Sequence, residues 1–416
     1  METIRHLYRW GMGPSSSHTM GPHRAAQQFR ERYPQAARFR VALYGSLAAT
    51  GKGHRTDVAI ISGLAPAPVE LFWYPQEMLP LHPNGMRFTA LAADGSELGT
   101  WEVYSVGGGA LRDANTPGES TSIYRLTTMA EILAHCEETG QSFWEYVAEC
   151  EGPDIWDYLA EVWRVMEAAI TRGLETEGVL PGGLGVPRKA SVLWRKALLG
   201  GAHVQRAGRL AAYALAVAEE NAAGGFVVTA PTCGSSGVVP AVLHYLKETL
   251  PLSETLILRA LATAGLIGNL VKHNGSISGA EVGCQGEIGT ACAMGAAAAT
   301  QLLGGTVRQI EYAAEMGLEH HLGLTCDPVA GLVQIPCIER NVFAASRALT
   351  CADYALFSDG THRIPFDEVV HVMMQTGHDL PSLYRETAHG GLAAAYRRRN
   401  AQAQSPAPTE DPVTRP

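Results

Sequence analysis

Residues 288–304 read Ile288-Gly289-Thr290-Ala291-Cys292-Ala293-Met294-Gly295-Ala296-Ala297-Ala298-Ala299-Thr300-Gln301-Leu302-Leu303-Gly304, the most apolar long stretch of a 416-residue chain. It is shorter than the roughly 20 residues a bilayer span requires, and small residues and Gln301 dilute it. It therefore reads as a buried helix in a chain with no membrane partner. The composition agrees. Hydrophobic residues are 46% and charged residues 18%, while aromatics are only 7% and glycines number 45. Such a chain buries a large core and packs much of it with small side chains.

Around this stretch the apolar period is helical. Residues 129–139, 142–150, 155–173 and 205–221 carry apolar side chains at three and four spacing, and Ala-rich helices are expected at 240–250, 256–271, 287–303 and 340–356. Before residue 112 the pattern differs. FRVALYG at 39–45 reads as a strand ending at glycine. FTAL at 88–91 and TWEVYSV at 100–106 alternate as strands about an ADGS turn at 93–96. The fold class expected is α+β. A small N-terminal α/β domain (1–112) and a linker (113–126) precede a large, mostly α-helical domain (127–400). A disordered tail (401–416) rich in Pro, Gln, Ser and Thr closes the chain. No internal repeat is found.

The 32 Lys and Arg against 41 Asp and Glu leave a formal charge of −9, which argues against a nucleic-acid partner. The start, Met1-Glu2-Thr3-Ile4-Arg5-His6, has no apolar leader, so a cytoplasmic location is expected. There the eight cysteines stay reduced, and none forms a CxxC pair.

Four regions concentrate Gly, Ser, His, Asn and Cys, residues that weaken helices and strands and so point to function. GPSSSHTMGP at 13–22 offers hydroxyls and backbone N–H groups ahead of a helix, an anion site or an ordinary cap. GSLAATGKGHRTD at 45–57 approaches a P-loop, but Gly53 stands where the magnesium-binding Ser or Thr belongs, so a substrate-side pair of Lys52 and His54 fits better. APTCGSSG at 230–237 resembles a phosphate cradle for pyridoxal phosphate, with Lys272 as its Schiff-base lysine, or simply a helix entry. Finally, Cys284, Cys326 and Cys337 sit on Gly- and Pro-flanked turns. Three thiolates can anchor an iron–sulfur cluster with one iron open, whereas a closed cluster takes four. The alternative is buried structural cysteine.

Taken together, these segments resemble the bacterial iron–sulfur-dependent L-serine dehydratases in their single-chain form. The matching motifs add HPNGMRF at 82–88, YSVGGG at 104–109, NGSISGAEVGCQGEIG at 274–289, EHHLGLTCDPVAGLVQIPCIERN at 319–341, QTG at 375–377 and ETAHGGLA at 386–393, in the family's order across about 4–395. The resemblance implies a 4Fe–4S cluster on Cys284, Cys326 and Cys337, and a homodimer acting on the small molecule L-serine. It departs at Cys233, where the family segment APTNG has Asn. No Cys follows Cys351, so the C-terminal Cys that caps the cluster in some members has no counterpart.

The expected reaction is loss of water, then ammonia, from L-serine to give pyruvate, with an open iron as Lewis acid rather than redox centre. His18 and His54 are the candidate bases, with Lys52 as partner. Ser15, Ser16, Ser17, Thr19 and Asn84 are the candidate substrate-binding residues. Three alternatives remain at this point: a pyridoxal-phosphate lyase using Lys272, an iron–sulfur sensor without turnover, and the same fold acting on L-cysteine or L-threonine.

Overall fold

A computed structural model gives the fold and describes residues 1–115 and 122–404. The stretch that opened the sequence reading becomes its central helix. Thr290–Leu302 is buried from Thr290 through Thr300. Helices Val238–Thr249, Glu254–Asn274, Val307–Glu319 and Cys337–Leu356 pack around it. Its alanines and glycine let neighbouring backbones come close, which a stripe of larger side chains would prevent. Glu254–Asn274 is long and apolar enough to cross a bilayer, yet 72% of its apolar window is buried inside the fold.

The helices read from periodicity at 129–139, 142–150, 155–173 and 205–221 are found as Met129–Thr139, Phe143–Glu151, Ile155–Glu175 and Ala202–Ala222. Thr128 and Ser142 each start a helix with a reciprocal cap to a glutamate three residues on. Helices Ala190–Leu198, Val307–Glu319, Phe366–Asp379 and Gly391–Gln404 add to these. The tail expected from 401 is helical as far as Gln404, and residues 405–416 lie outside the described residues, as do 116–121 of the expected linker.

The strands are β1 (Trp10–Met12), β2 (Arg38–Tyr44), β3 (Val69–Tyr74), β4 (Gly85–Leu91), β5 (Glu97–Ser105), β6 (Leu111–Arg112) and β7 (Phe226–Val228). Five form one sheet in the order β3-β2-β4-β5-β6. β3 runs parallel to β2, reached through the helices Gly45–Thr50 and Thr56–Leu64, and the other pairs are antiparallel. The ADGS turn joins β4 to β5 as read, with Asp94 accepting from the Ser96 N–H at 2.9 Å. Helix Gly21–Arg32 covers one face, where Phe29 meets Phe39 and Phe88.

The first residues pack away from this sheet. Met1, Ile4, Leu7 and Tyr8 are buried in the helical core. β1 then pairs antiparallel with β7, Gly11 opposite Val227. This two-stranded ribbon brings the 13–22 motif beside the 230–237 motif. Asn221 Nδ2 donates to the Pro14 carbonyl at 2.8 Å and fixes the approach.

Candidate active site

Three cysteines from distant segments meet at one small cavity. Cys284 precedes a π-helical turn, Gln285–Gly289, that runs directly into the central helix. Cys326 is clasped by the C-terminal segment: its N–H donates to the Tyr384 carbonyl and its carbonyl accepts from the Glu386 N–H, both at 2.7 Å. Cys337 is the first residue of helix Cys337–Leu356. All eight cysteines are free thiols. A hydrogen bond from Cys326, and after it the Arg340 guanidinium, outweigh burial and bring the Cys284 thiol down to about 6. Thiolate is the form that ligates iron, and three cysteines sharing a cavity are a soft donor set suited to an iron–sulfur cluster. Glu386 Oε2, in the same lining, is buried without any partner, which a ligand of the cavity would relieve.

Two imidazoles and two carboxyls complete the site. His54 lines the cavity, and its Nδ1 lies 3.0 Å from the Thr50 carbonyl. A carbonyl only accepts, so Nδ1 carries the proton and Nε2 keeps its lone pair, 3.9 Å from Glu386 Oε1. His18 stands behind it, the two rings 4.6 Å apart. The Ser46 hydroxyl donates to the Glu386 carbonyl at 2.7 Å, so it accepts from His18 Nε2–H at 3.2 Å. His18 Nδ1 is then the acceptor, with Ser17 Oγ at 2.9 Å and Glu386 Oε1 at 3.4 Å. Burial holds both imidazoles neutral: His54 falls to about 4, and His18 falls well below 6.5, with His54 as a further cause. Burial, then the Cys284 thiolate, pushes Glu287 up to about 8. A Cβ at Gly279 would stand 2.7 Å from Glu287 Oε2 and 3.3 Å from Cys326 Sγ, so only glycine lets the chain pass there.

The family model described as serine dehydratase alpha chain matches residues 118–393, and the one described as serine dehydratase beta chain matches 3–71 and 66–116. The L-serine dehydratase of Streptomyces coelicolor is 45% identical over 93% of this chain and 97% of its own length. L-serine dehydratase 1 of Escherichia coli K12 is 42% identical over 94% and 99%. The L-serine dehydratase of Helicobacter pylori J99 is 37% identical over 94% and 98%. The chain belongs to the serine dehydratase family.

In this member of the family, the residues singled out in the sequence divide cleanly. Cys284, Cys326, Cys337, His54 and Ser15 line the cavity. Ser16, Ser17, His18 and Thr19 are buried just behind them in a helical turn. Ser15 Oγ there accepts the His18 N–H at 3.0 Å, so that N–H is not free for an anion. Thr19 Oγ1 donates to the His54 carbonyl at 2.7 Å. Asn84 is fully buried, with Nδ2 donating to the Ser105 carbonyl at 3.2 Å and Oδ1 unpartnered. Lys52 is not brought in. It is exposed, its Nζ 5.8 Å from the Trp73 ring, and it is not among the residues that line the cavity. Lys272 pairs with Glu2 at 2.8 Å and does not line the cavity that Gly234 lines. Cys233 turns away from the cavity to Met20 Sδ at 3.8 Å.

The sequence reading did not single out Glu287, Arg340, Ser46 or Glu386. Two of them carry a signal. Glu287 follows Cys284 by three residues and Arg340 follows Cys337 by three, so each shares a helical face with its cysteine. Glu386 opens the ETAHGGLA motif, but nothing in its sequence neighbourhood marks it for this site; hydrogen bonds of its backbone with Cys326 and the Ser46 hydroxyl bring it there.

Proposed function

We infer that the chain is an L-serine ammonia-lyase that converts L-serine to pyruvate and ammonia. The observation that carries this reading is the meeting of Cys284, Cys326 and Cys337 with His54 and Glu386 at one cavity, in a chain whose relatives are named L-serine dehydratases.

Cys284, Cys326 and Cys337 would hold a 4Fe–4S cluster. When bound, it supplies an open Lewis-acidic position for the departing β-hydroxyl, a poor leaving group because water has a pKa near 15.7. His54 Nε2 is the base for the α-proton, since its lone pair is free and burial keeps it neutral. His18, Ser46 and Ser17 hold Glu386 and His54 in register. Ser15 is the cavity-side hydroxyl for the substrate carboxylate, with Ser16, Ser17 and Thr19 shaping its turn. Asn84, proposed from the sequence as substrate-binding, is fully buried outside the cavity lining, so in this reading it braces the Ser105 backbone rather than touching substrate. Loss of water leaves an enamine, which becomes the imine and is hydrolysed to pyruvate and ammonia. The proposal includes the sheet-bearing unit 1–112 and the helical unit 127–400 as the two working domains, a homodimer, and the cytoplasm, where eight free thiols persist.

The test is anaerobic pyruvate release from L-serine, with L-cysteine and L-threonine alongside, followed together with iron content and visible absorbance. Turnover should track the absorbance and vanish with it in air, and Cys284→Ser should lose both. Turnover by iron-free protein would overturn the reading.

A further inference from the structure

We propose that a second cavity, on the far side of the histidine-bearing turns, binds a small organic anion that carries an apolar ring. This cavity has a volume of about 640 Å³ and lies between the β1–β7 ribbon and the helices Gly21–Arg32 and Thr56–Leu64. That volume falls within the usual range for small-molecule sites. Three arginines line it, Arg9, Arg24 and Arg55, and among the described residues no Asp or Glu does, while Arg9 and Arg24 also border an adjoining groove that holds Glu2, Asp113 and Glu281. In a chain with a net charge of −9, that local excess of cations needs a reason.

Each arginine spends one donor on a backbone carbonyl. Arg9 reaches Gly108 at 2.8 Å, Arg24 reaches Gly109 at 2.7 Å, and Arg55 reaches Ala223 at 3.4 Å. Gly108 and Gly109 are adjacent, so Arg9 and Arg24 are held side by side. Arg9 feels the Glu2 carboxylate, whose side chain is paired with Lys272 at 2.8 Å. A guanidinium has five donors, so most remain for a ligand, in the fork geometry that suits phosphate or carboxylate. Burial, then Arg24, brings Arg9 down to about 10 against the opposite pull of Glu2, so the two neighbouring cations repel each other.

Two further features define the ligand. Trp10 and Tyr158 form an aromatic wall, their ring centroids 5.1 Å apart, and Phe226 beside them is 40% exposed. Aromatic faces beside cations favour a ring on the anion over a bare ion. Arg55 is also a non-glycine residue in the left-handed region, with φ of 58°. That conformation is costly and tends to persist where a side chain is being aimed.

Calorimetric titration of the cluster-loaded full chain with phenyl phosphate, inorganic phosphate and benzyl alcohol tests this. Phenyl phosphate should bind saturably at one site per chain, inorganic phosphate about tenfold or more weaker, and benzyl alcohol not at all. Arg24→Gln and, separately, the more exposed Arg55→Gln should each weaken phenyl phosphate about tenfold while melting temperature and basal turnover hold. Absence of saturable binding, or parental affinity in both variants, would overturn the site. Equal affinity for inorganic phosphate would overturn the ring. The readout is binding, so it stands apart from the success or failure of the serine reaction.

Discussion

His18 Nδ1 lies 3.4 Å from Glu386 Oε1, and His54 Nε2 lies 3.9 Å from the same oxygen. One carboxyl from the C-terminal segment thus faces two imidazoles carried by the sheet-bearing part of the chain. Glu386 holds this position with φ of 57°, a cost the Cys326 and Ser46 hydrogen bonds offset. If His54 is the base, His54→Asn should lower kcat by about 10²–10⁴ with iron content unchanged. A loss below about tenfold would remove His54 from that role.

The two lysines of the sequence reading give a contrasting prediction. Lys272 is tied to Glu2 and Lys52 lies over Trp73 in solvent. Lys272 is mostly buried, so Lys272→Ala should cost about 1–3 kcal/mol of stability by removing the ammonium partner of Glu2, yet leave kcat within about twofold. Lys52→Met should leave kcat equally unchanged. Abolished turnover in Lys272→Ala, with Schiff-base absorbance in the parent, would instead revive pyridoxal phosphate chemistry.

The central helix was legible because its residues are apolar and small throughout, and the β4–β5 hairpin because its turn chemistry is local. β3 was not read. It alternates inward Leu71 and Trp73 with outward Phe72 and Tyr74, so both faces look apolar. Val307–Glu319 hides its buried face for the opposite reason. Glu311 and Glu315 are interior, and Glu311 is used to cap Phe366 at 2.9 Å and to meet His362 at 3.2 Å. At the site, the cysteines announced themselves by residue type and setting. Glu386 did not, because its place depends on a bridge to Cys326 across the chain.

Burial also sets how stability varies with pH. His321, bonded to the Gly317 carbonyl at 2.7 Å, is lowered by burial to about 4. Between about pH 4 and 6.5 the unfolded chain binds a proton there that the folded chain refuses. Stability therefore falls as pH drops through that window, by up to about 1.4 kcal/mol per unit for one such group. Glu315 has the opposite sign. Burial, then Glu319, raises it to about 8, so the folded chain keeps a proton that the unfolded chain loses. Its contribution declines as pH rises from about 4.5 to 8. Urea unfolding across pH 4–8 should show a shallower acid-side slope in His321→Gln and a shallower alkaline-side decline in Glu315→Gln. Parallel curves for the parent and both variants would contradict the assignment.

Close backbone contact is the remaining mechanical requirement of the site. A Cβ at Gly317 would stand 2.8 Å from Ala293 Cα and N, on the helix that begins beside Cys284. A Cβ at Gly173 would overlap the Ala216 carbonyl across helices Ile155–Glu175 and Ala202–Ala222. Backbone cannot swing aside as a side chain can, so each methyl must push two helices apart. Gly317→Ala and Gly173→Ala should each destabilise by about 1–3 kcal/mol, although alanine is the better helix former. Gly201→Ala is the control, since a Cβ there meets nothing within 4 Å and its φ is −69°. Gly201 is the N-cap of helix Ala202–Ala222, so alanine there should cost no more than about 1 kcal/mol, the scale of losing a glycine cap and not of a clash. On the proposed cluster reading, because Gly317 bears on the central helix and Gly173 does not, only Gly317→Ala should also speed loss of iron in air. Equal loss in both glycine variants would show that general loosening, rather than displacement of the Cys284 turn, controls retention.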